Sequence, residues 1–499
     1  MPHNNTNISV LEATGGDKVD ESTHDEEPPR SLIRETLFVT VLCSSQLMTQ
    51  AGLALSLVPL RIIGASFNTT NAGELSWYAA SYSLTVGTFI LIAGRLGDTF
   101  GHRLMFIIGF AWFSLWSLLG GIAIWSDQIF FDVCRAMQGI GPALLLPNSI
   151  AILGRTYRPG PRKNMVFSLF GATAPGGFSI GAVMSSLLAE RVWWPWAYWV
   201  MAIACAGLAL MGWLIIPRSP SDSSGEKDIP TMARLDIPGS LTGVTGLILV
   251  NFAWNQGPVV GWDVPYVYAL LVVGVLMLGV FVYIELHSRC PLLPPSIFTT
   301  EVGWVLSCIA TGWSSFGILV FYYFQFLEVI KGDTPLLASA KWSGVSVSGA
   351  IAAVTTGYLV SRIRPSLIML MAMVAFTVGQ ILLATLPVNQ TYWAQAFMIT
   401  IITPWGMDMS FPSGTLVLSN SLPRQQQGVA ASVVNTLVNY SISIGLGLAG
   451  TVERYVNSQD TLAGYRAASY MGTGLAGLGI LTAGLYVILD HNKYNKASP

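Results

Sequence analysis

Charge is scarce in this chain. Only 10% of its 499 residues are Asp, Glu, Lys or Arg. A soluble globular protein carries about 25%, so a water-facing surface for a chain this long cannot be built from them. Lys and Arg number 25 against 26 Asp and Glu, which leaves no basic excess for a nucleic acid. Cysteine is also sparse. Cys43, Cys134, Cys205, Cys290 and Cys308 stand apart, with only Cys290 outside an apolar run, so they form neither a disulfide framework nor a metal-binding spacing. The histidines, His3, His24, His102, His287 and His491, fall in tails or at the ends of apolar runs, so no buried metal cluster is expected. No G-x-x-x-x-G-K-[ST] phosphate loop supports ATP-driven work. No ring of charge suggests a channel filter, and no cluster of His or carboxylates at depth suggests a membrane-embedded enzyme. The expectation is a non-enzyme without cofactor or metal.

What the chain has is apolar length. Hydrophobic residues make up 52% and the mean hydropathy is +0.57. They lie in runs of the length that crosses a bilayer as a helix, about 20 residues. Fourteen spans can be read, which defines an all-α polytopic membrane protein. Residues 1–35 read as a disordered cytoplasmic tail without a cleavable signal, and 36–216 as a first six-helix half. Residues 217–236 form a cytoplasmic linker, 237–287 an inserted helix pair, 303–489 a second six-helix half and 490–499 a short tail. An even number of spans puts both termini on one side. With that side cytoplasmic, most bases fall inside, including Arg95, Arg103, Arg155, Arg162 and Lys163, while few, such as Arg61 and Arg191, fall outside. The plasma membrane is the expected location, with the vacuolar membrane as alternative. The sequons at Asn68 and Asn389 then face outward and are candidates for glycosylation. Trp193, Trp194 and Trp196 read as an interfacial belt, and Glu74, Glu190 and Glu328 as solvated outer span ends.

Three segments carry more specific chemistry. Between the second and third spans lies Gly94-Arg95-Leu96-Gly97-Asp98-Thr99-Phe100-Gly101-His102-Arg103. Its glycines permit a sharp reversal, and Asp98 can cap a helix or pair with Arg95 or Arg103. A degenerate copy, Gly357 to Arg364 with Ser361 in place of the acid, follows the tenth span, as an internal repeat requires. The fourth span holds Arg135-Ala136-Met137-Gln138-Gly139-Ile140-Gly141-Pro142-Ala143. A buried arginine needs a partner or water and points to function, although Asp132 lies one turn away and could neutralise it. The fifth span holds Gly171-Ala172-Thr173-Ala174-Pro175-Gly176-Gly177 and then Gly181, small residues that let helices approach and a proline that bends one.

The 94–103 loop resembles the signature loop of the major facilitator superfamily, with Thr99 and His102 where that family has bases. The Arg135 segment resembles its R-x-x-Q-G-x-G-x-A stretch. Gly171 to Gly181 resembles the Gly/Pro-rich segment of exporters, with Phe178 and Ser179 where paired glycines are usual. With fourteen spans the chain resembles the drug:proton antiporters of that number. Residues 193–200, 406–412 and 439–450 look like the fungal branch that includes aminotriazole-resistance and borate-efflux transporters.

The resemblance implies the major facilitator fold: two six-helix halves plus an inserted pair. It implies a drug-resistance-type efflux pump that exchanges a small molecule (drug, toxin, borate or secondary metabolite) for protons by alternating access, as a monomer in the lipid bilayer. Proton-coupled import of a nutrient or iron chelate, and a non-transporting membrane sensor, are the alternatives. Gly94, Gly97, Gly101, Arg103, Gly171, Pro175 and Gly181 are then the conformational motif. Asp98, Arg135, Asp132 and Asp408 are the candidates for proton coupling or gating. Asp408 enters because Gln50 stands where related exporters carry a first-span acid, while Asp408 lies well inside the twelfth span between Gly406 and Pro412. Gln46, Gln50, Gln138, Asn435 and Asn439 are polar residues inside spans and are expected to line the substrate cavity.

Overall fold

The computed structural model describes residues 31–70, 72–157, 160–218, 236–288, 291–293, 297–360, 362–421, 427–456 and 460–497. Most of the expected tail and linker, with Cys290 and Ser361, lies outside them. The described residues form α-helices without a strand. They are α1 (Leu32–Leu57), α2 (Leu60–Ser66), α3 (Ala72–Phe100), α4 (His102–Ile122), α5 (Gln128–Thr156), α6 (Pro161–Arg191), α7 (Pro195–Ile215), α8 (Ile237–Val260) and α9 (Pro265–His287). Then follow α10 (Thr300–Gln325), which runs on as a π-turn over Phe326–Ile330, α11 (Pro335–Trp342), α12 (Gly344–Leu359), α13 (Pro365–Ala384), α14 (Gln395–Asn420), α15 (Gln427–Val456) and α16 (Thr461–Ala497). The last helix continues past residue 489, where a tail was expected.

The helix ends have local causes. Asp127, Thr299 and Thr334 accept from backbone N–H groups at the starts of α5, α10 and α11. Prolines open α6, α7, α9, α11 and α13, where a missing N–H costs nothing. Gly101 takes φ +96° between α3 and α4, a conformation that favours glycine.

Twelve of the helices are long and apolar enough to cross a membrane. The other two expected spans are present in altered form. The run 335–360 breaks at Ser343 into α11 and α12, 8 and 16 residues long. The twelfth span is α14, 26 residues, whose apolar character is diluted by Pro404, Asp408, Pro412 and several hydroxyls.

Two helix clusters result. In the first, α3 and α4 flank α5, α1 lies along α6, and α4 packs on α7. In the second, α13 packs on α14 and α16, α10 on α15 and α16, and α12 on α14. They meet along two seams, α3 on α15 and α6 on α11 and α12, while α8 and α9 form a pair that touches both α3 and α15.

Candidate functional site

The 94–103 loop is a packed corner. Asp98 is about half exposed and faces Arg155 at 3.4 Å and His102 at 3.3 Å. It does not pair with Arg95 or Arg103, as the sequence suggested. Arg103 donates to the carbonyls of Trp213 and Ile216 at the end of α7, and Arg95 donates to the carbonyl of Pro291. His102 is buried and shares a 2.7 Å hydrogen bond with Asn148 of α5. A side chain at Gly97 would collide with both His102 and Asn148, and one at Gly94 would sit 3.2 Å from Ser432 on α15. The departure at His102 therefore works as a buried link between α4 and α5. Asn148 was not legible beforehand, because its partner lies 46 positions away. Beside this corner, Tyr157 donates to Glu35 of α1 at 3.0 Å, and burial, then Glu35 itself, push the phenol above its ordinary range.

Arg135 is fully enclosed. Its Nε donates to the Tyr78 carbonyl at 2.9 Å and its Nη1 to Gln138, whose amide donates to Ser117 at 2.6 Å. The guanidinium lies over the Tyr82 ring at 4.6 Å and faces Tyr198 at 5.9 Å. Asp132 makes no ion pair with it: the half-buried carboxyl keeps one buried oxygen without a hydrogen-bond partner. In place of local neutralisation, Arg135 meets a carbonyl and a ring of α3, a ring of α7 and the Gln138 amide of its own helix, which is tied to Ser117 of α4, while its Nη2 is buried without a hydrogen-bond partner. Gln138 is correspondingly 1% exposed and belongs to this enclosure, not to a cavity wall.

Asp408 is half-buried, and its Oδ2 is buried without a hydrogen-bond partner. It lies at the seam of α6 with α12. A Cβ built on Gly349 of α12 would stand 3.3 Å from that oxygen and 2.8 Å from the Pro175 ring of α6. Ser346 bonds to Ser179 at 2.7 Å and to the Pro175 carbonyl at 3.3 Å, and Ser186 meets Ser339 at 3.0 Å. Further along the seam, Glu190 accepts from the Leu336 N–H at 2.6 Å, so it is a seam contact and not only a solvated end. Glu74 accepts from Thr69, and the Oε1 of Glu328 is buried without a partner. Glu453, unflagged by the sequence, is buried and accepts from Tyr322 at 2.7 Å.

The remaining candidates divide. Gly181 and Gly177 seat α6 directly on the backbone of Ala51 and Leu47 in α1, whereas Gly171 is exposed with open space beside it and seats nothing here. Gln46 and Gln50 lie one turn apart on a half-buried stripe of α1 next to that contact, and neither is hydrogen-bonded. Asn439 is half-buried and donates to the Asn435 carbonyl at 3.0 Å, while the Asn435 side chain is buried. Asn68 and Asn389 are exposed. Of the tryptophans, Trp193 and Trp196 are partly exposed, but Trp194 is buried and donates to Ser66, so it is core and not belt.

Comparison with known proteins agrees with this architecture. The chain is 61% identical over 484 residues to the low affinity ammonium transporter of Saccharomyces cerevisiae, covering 96% of this chain and 94% of that one. It is 45% identical over 474 residues to the efflux pump terJ of Aspergillus terreus, covering 94% and 91%. It is 39% identical over 475 residues to the aminotriazole resistance protein of S. cerevisiae, covering 93% and 86%. The family model described as Major Facilitator Superfamily matches residues 40–447, a stretch that contains the corner at Asp98, the enclosed Arg135 and the seam at Asp408. The chain is a member of the Major Facilitator Superfamily, a family of membrane transporters and not of enzymes.

Proposed function

We propose that this transporter is a proton-coupled exporter of a small molecule that works by alternating access, with Asp408 as the proton carrier. The supporting observation is the Asp408 carboxyl, which has a buried, unpartnered oxygen at a seam between the two helix clusters. An ionised carboxylate without a partner in an apolar setting costs several kcal/mol. The group is therefore neutral while Pro175 and Gly349 are in contact, and it ionises when the seam opens to water. Asp98, Arg155 and His102 brace the opposite corner, and Arg135 keeps the first half rigid while the halves move. Gln46, Gln50 and Asn439 offer polar contacts to the solute. Two six-helix halves with an inserted pair, both termini cytoplasmic, and a plasma-membrane location complete the reading.

The efflux pump and the aminotriazole resistance protein favour a drug-like or toxic solute. The 61% identical relative favours a second reading, in which the solute is ammonium. A toxicity panel separates the two. Cells lacking or overproducing the transporter are exposed to aminotriazole, borate, lipophilic drugs and methylammonium. Resistance to a drug that is lost when the proton gradient is collapsed supports the first reading. A change confined to methylammonium, insensitive to the drugs, replaces it with the second.

A further inference from the structure

The inserted pair, α8 and α9, touches both helix clusters, but the two contacts differ in kind. Toward α15 the contact is polar at nearly every turn over residues 440–454. Tyr440 donates to the Leu247 carbonyl at 3.2 Å. Ser443 donates to Asn251 Oδ1 at 2.7 Å, and Asn255 donates to both Asn251 at 2.9 Å and Ser443 at 3.1 Å, all three side chains being buried. Gly447 leaves room for Trp254, whose backbone would collide with any side chain there. Trp262 donates to Thr451 at 3.2 Å. At the outer end, Arg454 donates to the carbonyls of Pro258 and Val259 at 2.7 and 2.6 Å, occupying acceptors that the end of α8 leaves open. Toward α3, the side-chain hydrogen bond among the described residues of the two helices is Trp77 to Gln256 at 3.0 Å, beside a Trp77–Phe252 ring contact at 5.1 Å, and at the other end of α3 Arg95 reaches the Pro291 carbonyl just past α9.

Water is absent at membrane depth, so hydrogen bonds between helix side chains have no solvent to replace them when helices separate. An apolar ring contact slides without that penalty. We propose that the inserted pair belongs mechanically to the second half: α8 is clamped to α15 by Asn251, Asn255, Ser443 and Arg454 and travels with it, while its face on α3 is the sliding surface. The pair then extends the second half as a lateral wall, and the apolar cavity of about 170 Å³ between α8, α3, α10 and α15, lined by Leu91, Leu247, Leu306 and Leu437 among others, changes shape as α3 moves past.

The test uses the complete, folded transporter with one protease site inserted between residues 219 and 235 and another between 294 and 296. After cleavage in mild detergent, the anionic detergent dodecyl sulfate is raised until the first half separates from the second. The pair is expected to stay with the second half at that point. Ser443→Ala combined with Arg454→Ala should lower the dodecyl sulfate concentration that releases it by about a third or more, and Trp77→Ala should leave that concentration unchanged. Retention of the pair by the first half, or its release from both halves before they part, overturns the proposal. Equal sensitivity to Trp77→Ala and to the double substitution overturns it as well. Should the double variant fail to express, Asn255→Leu, which removes one member of the buried cluster at similar volume, carries the same comparison.

Discussion

Arg135 in the first half and Asp408 in the second are both ionisable groups within spans, and their surroundings receive them in opposite ways. Arg135 is met by a carbonyl of α3, by Gln138 of its own helix, which is tied to Ser117 of α4, and by the rings of Tyr82 of α3 and Tyr198 of α7. Asp408 in the second half has no such reception, and its buried oxygen faces a glycine and a proline ring. A charge with several well-placed partners is a fixed structural element, because removing it strands those partners. An acid without them is stable in an apolar seam only when neutral. On the proposed reading, the difference separates a residue that holds a half together from one that exchanges a proton, although both read alike in the sequence as ionisable groups within spans.

The comparison is broken most severely at Arg135. Arg135→Ala leaves the Tyr78 carbonyl and the Gln138 side chain unmatched inside the first half, and a loss of roughly 1–3 kcal/mol for each stranded group is expected. Detergent-solubilised protein should show a much lower unfolding temperature and reduced surface abundance. Arg135→Lys keeps the charge but not the planar fork that serves two acceptors at once. It should reach the surface and transport at least about tenfold more slowly. Full activity of the lysine variant would mean that charge alone matters there.

A smaller effect is expected at the seam. Gly349→Ala places a methyl group 2.8 Å from the Pro175 ring, which cannot rotate away. The seam should close incompletely, with transport several-fold slower at normal abundance. Carbodiimide labelling of Asp408, read by mass spectrometry, should rise. Unchanged labelling would place the control of Asp408 elsewhere. Asp98→Asn comes next. Asp98 is about half exposed and its contacts are 3.3 and 3.4 Å long, so folding should be unaffected. The maximal transport rate should fall about two- to fivefold with solute affinity unchanged, as measured from concentration series. The smallest change is Gln50→Ala, which removes an unengaged amide and should shift apparent affinity within about threefold, leaving the maximal rate intact.

Much of this was legible in the sequence, for reasons that particular residues show. The spans were readable because apolar length alone sets them, and the glycine at 101 because its φ of +96° suits no other residue as well. The break at Ser343 was not, since Trp342 and Gly344 keep the run unremarkable in composition on both sides. Gln138 is three positions from Arg135, so sequence reading placed it on the same helix, yet it was assigned to a cavity because the acceptor role toward Arg135 depends on how α4 packs. Asp132 drew attention by proximity along the chain, while the true partners of Arg135 include Tyr78, 57 positions away. The solitude of Asp408 is likewise a property of three helices meeting, and nothing in the residues around it announces that no donor arrives.

The central claim is that Asp408 carries the proton. The most direct test is uphill transport by the purified protein in liposomes under an imposed proton gradient, using the solute identified by the toxicity panel. Asp408→Asn mimics the neutral acid permanently and should fold normally. The expected result is that the variant still exchanges labelled for unlabelled solute across the membrane, but no longer accumulates it when the gradient is applied. Accumulation equal to that of the unaltered transporter, with the same dependence on pH, would contradict the account.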